Sequence, residues 1–242
     1  MGSSKLSVVI PLYNEGGKIK KTFLRIDRFF SKRNYVMEYI FVEDGSPDET
    51  LRVLSSIEKE RSDVRVLVNE KNMGKGYSIK KGMLSATGEH ILFMDADMST
   101  SLKAFPNFEK HFRDYDIIMG SRWCKEADIK VMQPWHRRFL GIIFYKILNL
   151  FFLKNVTDAN CGFKCYRKDV ARDIFSKQLL RGWGFDAELL YIAEKRKYRI
   201  KEVPVAWAHG MDSKVNLLTV PAKTIVELVK IKINDRKKRY EK

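Results

Sequence analysis

The stretch HILFMDADMST, residues 90–100, runs four apolar residues, Ile91 to Met94, directly into Asp95 and Asp97. A short continuous apolar run bounded by polar residues marks a strand buried on both faces, as in a parallel sheet covered by helices. A strand of that kind ending in two carboxylates puts charge at the edge of a sheet. Whether that edge is a site depends on what the neighbouring strands bring to it.

Working outward from 90–94, the same pattern recurs. Apolar runs at 6–10, 38–43, 64–68 and 116–119 also read as strands, and 18–31, 48–60, 76–86 and 102–112 have the length and periodicity of crossover helices. Strands alternating with helices predict an α/β fold with a mostly parallel sheet. Ligands of such sheets bind beyond the carboxyl ends of the strands. Here those ends lead into PLYNEGG, EDGSPDET, NEKNMGKG, DADMST and GSRW. A single Asp-Gly-Ser is ordinary turn chemistry, whereas five polar loops converging on one edge make a site.

Composition limits what that site serves. The 242 residues are 45% hydrophobic, enough for one sizeable core. Lys plus Arg number 46 against 30 Asp plus Glu, and the formal charge of +16 attracts nucleic acid, an anionic membrane or a phosphorylated substrate. The basic residues are spread along the chain and no nucleic-acid-binding motif appears, so nucleic acid is not an expected partner. Cys124, Cys161 and Cys165 are odd in number and lack metal-ligand spacing, which indicates neither a disulfide framework nor zinc and fits a reducing compartment. No run reaches the roughly 18 to 20 apolar residues that spanning a bilayer requires.

Asp95 and Asp97 bring two hard oxygen ligands to one locale. That suits Mg²⁺ or Mn²⁺, which take carboxylates supplemented by substrate phosphates and water. NMGKG, residues 72–76, is not a Walker loop, because Asn69 stands where the first glycine belongs and Gly76 follows Lys75. As a glycine-lined turn at a helix start it still offers Lys75 to a phosphate.

Taken in order, SVVIPLYNE, YIFVEDGSPDET, NMGKGYSIKKGM, ILFMDAD and IIMGSRW resemble the successive motifs of family 2 inverting glycosyltransferases of the GT-A type. VTDANCGFKCYRKDVAR, RGWGFDAELLYIAEK and SKV resemble the branch that glycosylates polyprenyl phosphates, above all the dolichyl-phosphate beta-glucosyltransferases and next the dolichyl-phosphate mannose synthases. The likeness spans residues 5–218. It implies a GT-A, Rossmann-like, mostly parallel sheet flanked by helices, and metal-dependent transfer of glucose from UDP-glucose to dolichyl phosphate with inversion. The alternative it leaves is mannose from GDP-mannose.

The resemblance also implies roles. Pro11, Tyr13, Asn14 and Glu15 would line the nucleotide pocket, Asp44 would hydrogen-bond the base, and Lys75 would lie near the nucleotide. Asp95 and Asp97 would bind ribose, diphosphate and metal. Arg122, with Arg137 and Arg138, would meet the acceptor phosphate, and Asp186 and Glu188 would face the sugar and the reaction centre. Two departures stand out: WAHGMDSKV, residues 207–215, lacks an arginine that mannose synthases bring to the diphosphate, leaving Lys214 and His209 to supply that charge, and Glu43 stands where the family usually has Asp.

A lipid acceptor requires a route to the bilayer. FLGIIFYKILNLFFL, residues 139–153, measures about 22 Å as a helix, short of the roughly 30 Å hydrocarbon core. It reads as an interfacial helix or as an internal core helix. KTIVELVKIKINDRKKRYEK, residues 223–242, has eight basic and three acidic residues with Ile225, Leu228 and Val229 on one side, which suits an anionic lipid surface or a solvated tail. The expected organisation is a catalytic domain over 1–218 and a basic amphipathic C-terminal segment over 219–242, attached peripherally to the cytoplasmic side of a membrane, endoplasmic reticulum or plasma membrane.

Overall fold

A computed structural model describes residues 4–131, 156–208 and 219–241. Strands β1 (Ser4–Leu12), β2 (Tyr35–Glu43), β3 (Val64–Val68), β4 (His90–Met94), β5 (Ile117–Ser121), β7 (Phe163–Arg167) and β8 (Ile200–Pro204) form a seven-stranded sheet in the order β3-β2-β1-β4-β7-β5-β8. β6 (Asp128–Val131) and β9 (Ala206–Ala208) pair as a separate parallel ribbon. The large sheet is parallel except at β7, which runs antiparallel to both β4 and β5. The five strands expected from apolar runs are all present. β7 escapes that reading because Lys164 interrupts its apolar character.

Alternation along the strands divides the core into two layers, since successive side chains point to opposite faces. Val9, Ile40, Ile91, Phe93 and Met119 join one cluster with residues of α3 (Lys75–Ser85), α5 (Lys168–Lys177) and α6 (Phe185–Lys195). Val8, Phe41, Leu92, Met94 and Ile118 join the other, covered by α1 (Gly16–Phe30) and α2 (Thr50–Glu60). In α1 the buried Ile19, Phe23, Ile26 and Phe30 recur at three or four residues, the stripe that seats a helix on a sheet. The helix expected over 102–112 is instead a 3₁₀ turn (Leu102–Ala104) followed by the short α4 (Phe105–Glu109). Pro106 explains the break: it is tolerated in a first turn but disfavours helix in the residue before it.

The C-terminal helix α7 (Thr219–Arg236) is docked on the sheet's helical layer. Leu228 and Ile231, together with Tyr240, join the apolar cluster beneath α6. Leu228, expected to share a lipid-facing side with Val229, is only 2% exposed, whereas Val229 is 55% exposed alongside Val226 and Ile233. No helix among the described residues is long and apolar enough to cross a membrane. The expected helix at 139–153 and the candidates Arg137, Arg138, His209 and Lys214 lie outside the described residues.

Candidate active site

The first turn of a helix has amide groups with no intrahelical partner, and the loop after β2 supplies them for α1. Asp48 Oδ2 accepts from Gly16 N at 3.0 Å, Thr50 Oγ1 from Glu15 N at 2.8 Å and Ser46 Oγ from Asn14 N at 3.0 Å. Pro11, Tyr13, Asn14 and Glu15 are thereby held beside residues 44–50. Glu43 folds back on its own turn and accepts from Gly45 N at 3.1 Å and Ser46 N at 2.5 Å. Its extra methylene, relative to aspartate, serves this turn.

Asp44 is 4% exposed and accepts from Asn69 Nδ2 at 2.8 Å, Met73 N at 2.9 Å and Gly74 N at 3.0 Å. A carboxylate has about four acceptor sites, so one remains. Asp44 is first of all the organiser of residues 69–74. That loop ends at Gly74, whose φ of +98° and whose approach to the Arg181 carbonyl, 2.6 Å from where a Cβ would sit, both demand glycine. Residues 181–184 therefore rest on the start of α3, where Lys75 stands.

Beyond β4, the Asp95 amide donates to the Gly162 carbonyl at 3.0 Å, and a Cβ at Gly162 would fall 1.9 Å from Asp95 Oδ2. The glycine is what lets the carboxylate lie across β7. Lys75 Nζ sits 2.7 Å from Asp95 Oδ1 and 5.2 Å from the Trp183 ring centroid. Burial works against the Lys75 charge, but Asp95 and Asp186 outweigh it and hold the ammonium above its ordinary pKa. Lys164, wholly buried, places Nζ 2.5 Å from Asp186 Oδ1 and 2.8 Å from the Cys161 carbonyl. Burial pushes the Asp186 carboxyl above its usual range, although Lys164 and Lys75 pull against it. Two ammonium groups and two carboxylates thus meet around Phe93, with Lys75 and Lys164 at 5.7 and 5.8 Å from its ring centroid. Asp97 follows in a tight turn, its Oδ1 accepting from Ser99 N at 2.8 Å, with Met98 at a left-handed φ of +51°.

Arg122 enters from the end of β5. Its Nε and Nη2 donate to the two oxygens of Asp158 at 2.6 and 2.7 Å, and its ring-facing side lies 5.3 Å from the Trp207 centroid. Burial disfavours both charges, yet Asp158 holds Arg122 more basic than usual and Arg122 holds Asp158 below the ordinary carboxylate range. Asp158 is set in turn by Glu202, which accepts from the Thr157 and Asp158 amides at 2.9 and 2.8 Å. Arg122, Asp95 and Asp97 share a cavity of about 110 Å³, with Asn160 and Trp207 in its wall. Burial pushes the nearby Cys161 thiol up to about 12, which makes it a poor nucleophile.

Glu188 has a different place from the one the resemblance implies. It is fully buried, and it accepts from Leu179 N at 3.1 Å, Leu180 N at 2.8 Å and Tyr240 Oη at 2.7 Å. It joins the 179–184 loop to the C-terminal segment and does not line the cavity that Asp95 and Asp97 share. Lys164, Asp158 and Glu202 are the site residues that motif reading passed over. Lys164 is signalled by a lysine inside the strand FKCYR and Asp158 by an acid flanked by small residues in TDAN, whereas Glu202 has no such signal.

Asp95 and Asp97 fit a hard divalent cation that completes its shell with diphosphate oxygens and water. Among the described residues no third His, Cys, Asp or Glu joins them, so such an ion would depend on the donor's diphosphate.

A mostly parallel sheet with carboxylates, a lysine and an anchored arginine at its carboxyl edge is the kind of site at which α/β enzymes bind phosphorylated ligands. Residues 7–175 match the family described as glycosyl transferase family 2, and the chain belongs to that family. It is 34% identical over 236 residues to a dolichyl-phosphate beta-glucosyltransferase of Trichomonas vaginalis, covering 93% of this chain and 70% of that one. It is 35% identical over 230 residues to the Drosophila melanogaster dolichyl-phosphate beta-glucosyltransferase, covering 88% and 70%. Among solved structures, glucosyl-3-phosphoglycerate synthase from Mycobacterium tuberculosis in complex with Mn²⁺ and UDP-glucose superposes with a TM-score of 0.67 at 16% identity, covering 94% of this chain and 79% of that one. At that identity the likeness speaks for the fold.

Proposed function

We propose that this chain transfers glucose from UDP-glucose to dolichyl phosphate with inversion, giving dolichyl β-D-glucosyl phosphate. The observation that carries the reading is the cavity that Asp95, Asp97 and Arg122 all line, a combination suited to a diphosphate and a second phosphate lying side by side. The names of the relatives favour glucose over mannose and a lipid phosphate over a glycan hydroxyl.

The chemistry fits that pairing. A phosphomonoester already carries an oxyanion at neutral pH, its second pKa being about 6. The acceptor therefore needs alignment and cations rather than a strong base. Arg122 uses one edge of its guanidinium on Asp158, which leaves its remaining N–H groups to grip the acceptor phosphate. The resemblance gives Arg137 and Arg138 the same part. Lys75, paired with Asp95, neutralises charge on the departing diphosphate, a part that the resemblance also gives to Lys214. Mg²⁺ or Mn²⁺ on Asp97 and Asp95 supplies further charge neutralisation there when bound. Asp186 faces the sugar, and Pro11, Tyr13, Asn14, Glu15 and the remaining acceptor site of Asp44 form the nucleotide pocket.

Residues 1–218 act as the catalytic domain and the C-terminal segment as a membrane contact on the cytoplasmic side. The exposed Val226, Val229 and Ile233 beside Lys230, Arg236 and Lys237 support peripheral attachment to an anionic lipid surface. The test is glucose transfer into an organic phase on adding dolichyl phosphate to enzyme and UDP-glucose. Label that stays aqueous with and without the lipid would overturn the acceptor.

A further inference from the structure

A second cavity, sharing no lining residue with the first, opens between the 179–184 loop and α7. Its volume is about 500 Å³. In α7, Glu227, Lys230 and Asn234 recur at three and four residues and so share one stripe, which forms the helix's wall of this groove. The helix then ends in a turn that brings the chain back. Lys238 takes a left-handed φ of +52°, its amide donates to the Asp235 carbonyl at 2.8 Å, and the Arg239 amide donates to the Asn234 carbonyl at 3.0 Å, a pattern that closes helix C-termini. Arg239 is thereby returned to the groove, where its Nη1 donates to Asn234 Oδ1 at 3.1 Å. On the other wall, Glu188 fixes the Leu179 and Leu180 amides, and the Arg181 guanidinium lies 5.5 Å from the Tyr77 ring centroid.

Charge in the groove is unbalanced. Arg181, Lys230 and Arg239 line it together with a single carboxylate, Glu227. That carboxylate is engaged by the loop: Oε2 accepts from Gly184 N at 2.7 Å, and a Cβ at Gly182 would collide with Oε1. Among the described residues none of the three cations forms a salt bridge. Beside them stand Leu179 and Ile233, both large, apolar and exposed. A free anion would satisfy the cations and leave Leu179 and Ile233 in water, and an apolar ligand would do the reverse. An anionic amphiphile answers both.

We propose that this groove is a binding site for an anionic phospholipid of the bilayer surface, its phosphate held among Arg181, Lys230 and Arg239 and its first methylenes laid over Leu179 and Ile233. The proposal rests on the reading of α7 as a membrane contact, and it gives that contact a headgroup pocket built from the 179–184 loop as well as from the helix. Ile233 continues the exposed Val226 and Val229 of α7, so a helix lying in the interface brings the groove to headgroup depth.

Cosedimentation with vesicles of phosphatidylcholine, with and without phosphatidylglycerol, tests it in the absence of donor and acceptor. A net charge of +16 attracts anionic vesicles diffusely, so the comparison is between two triple variants of equal charge. One carries Arg181→Gln, Lys230→Gln and Arg239→Gln. The other carries Lys20→Gln, Lys21→Gln and Arg25→Gln on the exposed side of α1, which covers the opposite face of the sheet. The groove variant should lose at least about tenfold in affinity for the mixed vesicles and the α1 variant less than about threefold. Leu179→Ser with Ile233→Ser, which leaves the charge unchanged, should lose about fivefold. Water-soluble dihexanoyl phosphatidylglycerol, titrated calorimetrically below its micelle concentration, should bind the wild type more tightly than inorganic phosphate does and should not bind the groove variant. Equal losses in the two triple variants reduce the attraction to diffuse charge, and phosphate binding as tightly as the lipid removes the amphiphile. Vesicle binding undiminished in the groove variant hands the groove to an acidic protein segment or a second copy of the chain. Each of these results overturns the proposal. If the wild type transfers no glucose, the functional reading fails while the vesicle comparison still tests the groove.

Discussion

Arg122 grips Asp158 through both carboxylate oxygens, at 2.6 and 2.7 Å, and its own backbone amide donates to the same group at 2.9 Å. The arginine is therefore held in one orientation before any ligand arrives. Asp158→Asn should raise the KM for dolichyl phosphate about 10- to 100-fold while changing the KM for UDP-glucose little, measured by steady-state kinetics. It should also cost about 3 kcal/mol or more in denaturant unfolding, because it leaves Arg122 largely buried and uncompensated.

Lys75 is held between Asp95 and Trp183 at the start of α3. Lys75→Met should weaken UDP-glucose binding about tenfold or more, read by calorimetric titration, with less effect on uridine, which has no diphosphate. Equal losses for both ligands would place Lys75 away from the diphosphate.

Asp97 makes its hydrogen bond to Ser99 N within its own turn, so its removal should spare the fold. Asp97→Ala is expected to lose turnover at least about a hundredfold with its melting temperature nearly unchanged. Chelation of divalent cations should silence the wild type, and Mn²⁺ or Mg²⁺ should restore it. Full activity in chelator would remove the metal from the account.

Glu188 anchors the Leu179 and Leu180 amides and the Tyr240 hydroxyl. Glu188→Ala should destabilise by about 2 to 4 kcal/mol through the buried groups it strands, yet kcat per folded molecule should fall less than about threefold. A hundredfold loss in a folded variant would return Glu188 to the reaction centre.

Acid should cost stability through the paired carboxylates. Arg122 depresses the folded pKa of Asp158, and Arg61 does the same for Asp63. Their stabilisation is fully present above the unfolded aspartate value of about 3.9 and is lost as pH falls through the lower folded values. Melting temperatures should hold from pH 7 to about 5 and then decline below about 4, less steeply in Asp158→Asn.

The strand-helix alternation and the five polar loops were legible because apolar runs such as ILFM report burial directly. The roles inside the loops were less so. Asp44 and Glu188 resemble ligand-facing acids in their motifs, but the Met73 and Gly74 amides hold Asp44, and the Leu179 and Leu180 amides with the Tyr240 hydroxyl hold Glu188. Lys164 reads as a surface lysine until β7 is seen between β4 and β5, a pairing between segments some seventy residues apart in the chain. The buried face of α7 is not legible in the sequence because its apolar residues cover both sides, and only packing shows that Leu228 and Ile231 turn inward while Val226 and Val229 turn out.

The most direct measurement is a parallel donor assay with dolichyl phosphate, supplying UDP-glucose or GDP-mannose and reading sugar identity and anomeric configuration in the lipid product. Glucose from UDP-glucose alone, β-linked to phosphate, is the predicted result. Product from GDP-mannose alone, or an α-linked glucosyl phosphate, would contradict it.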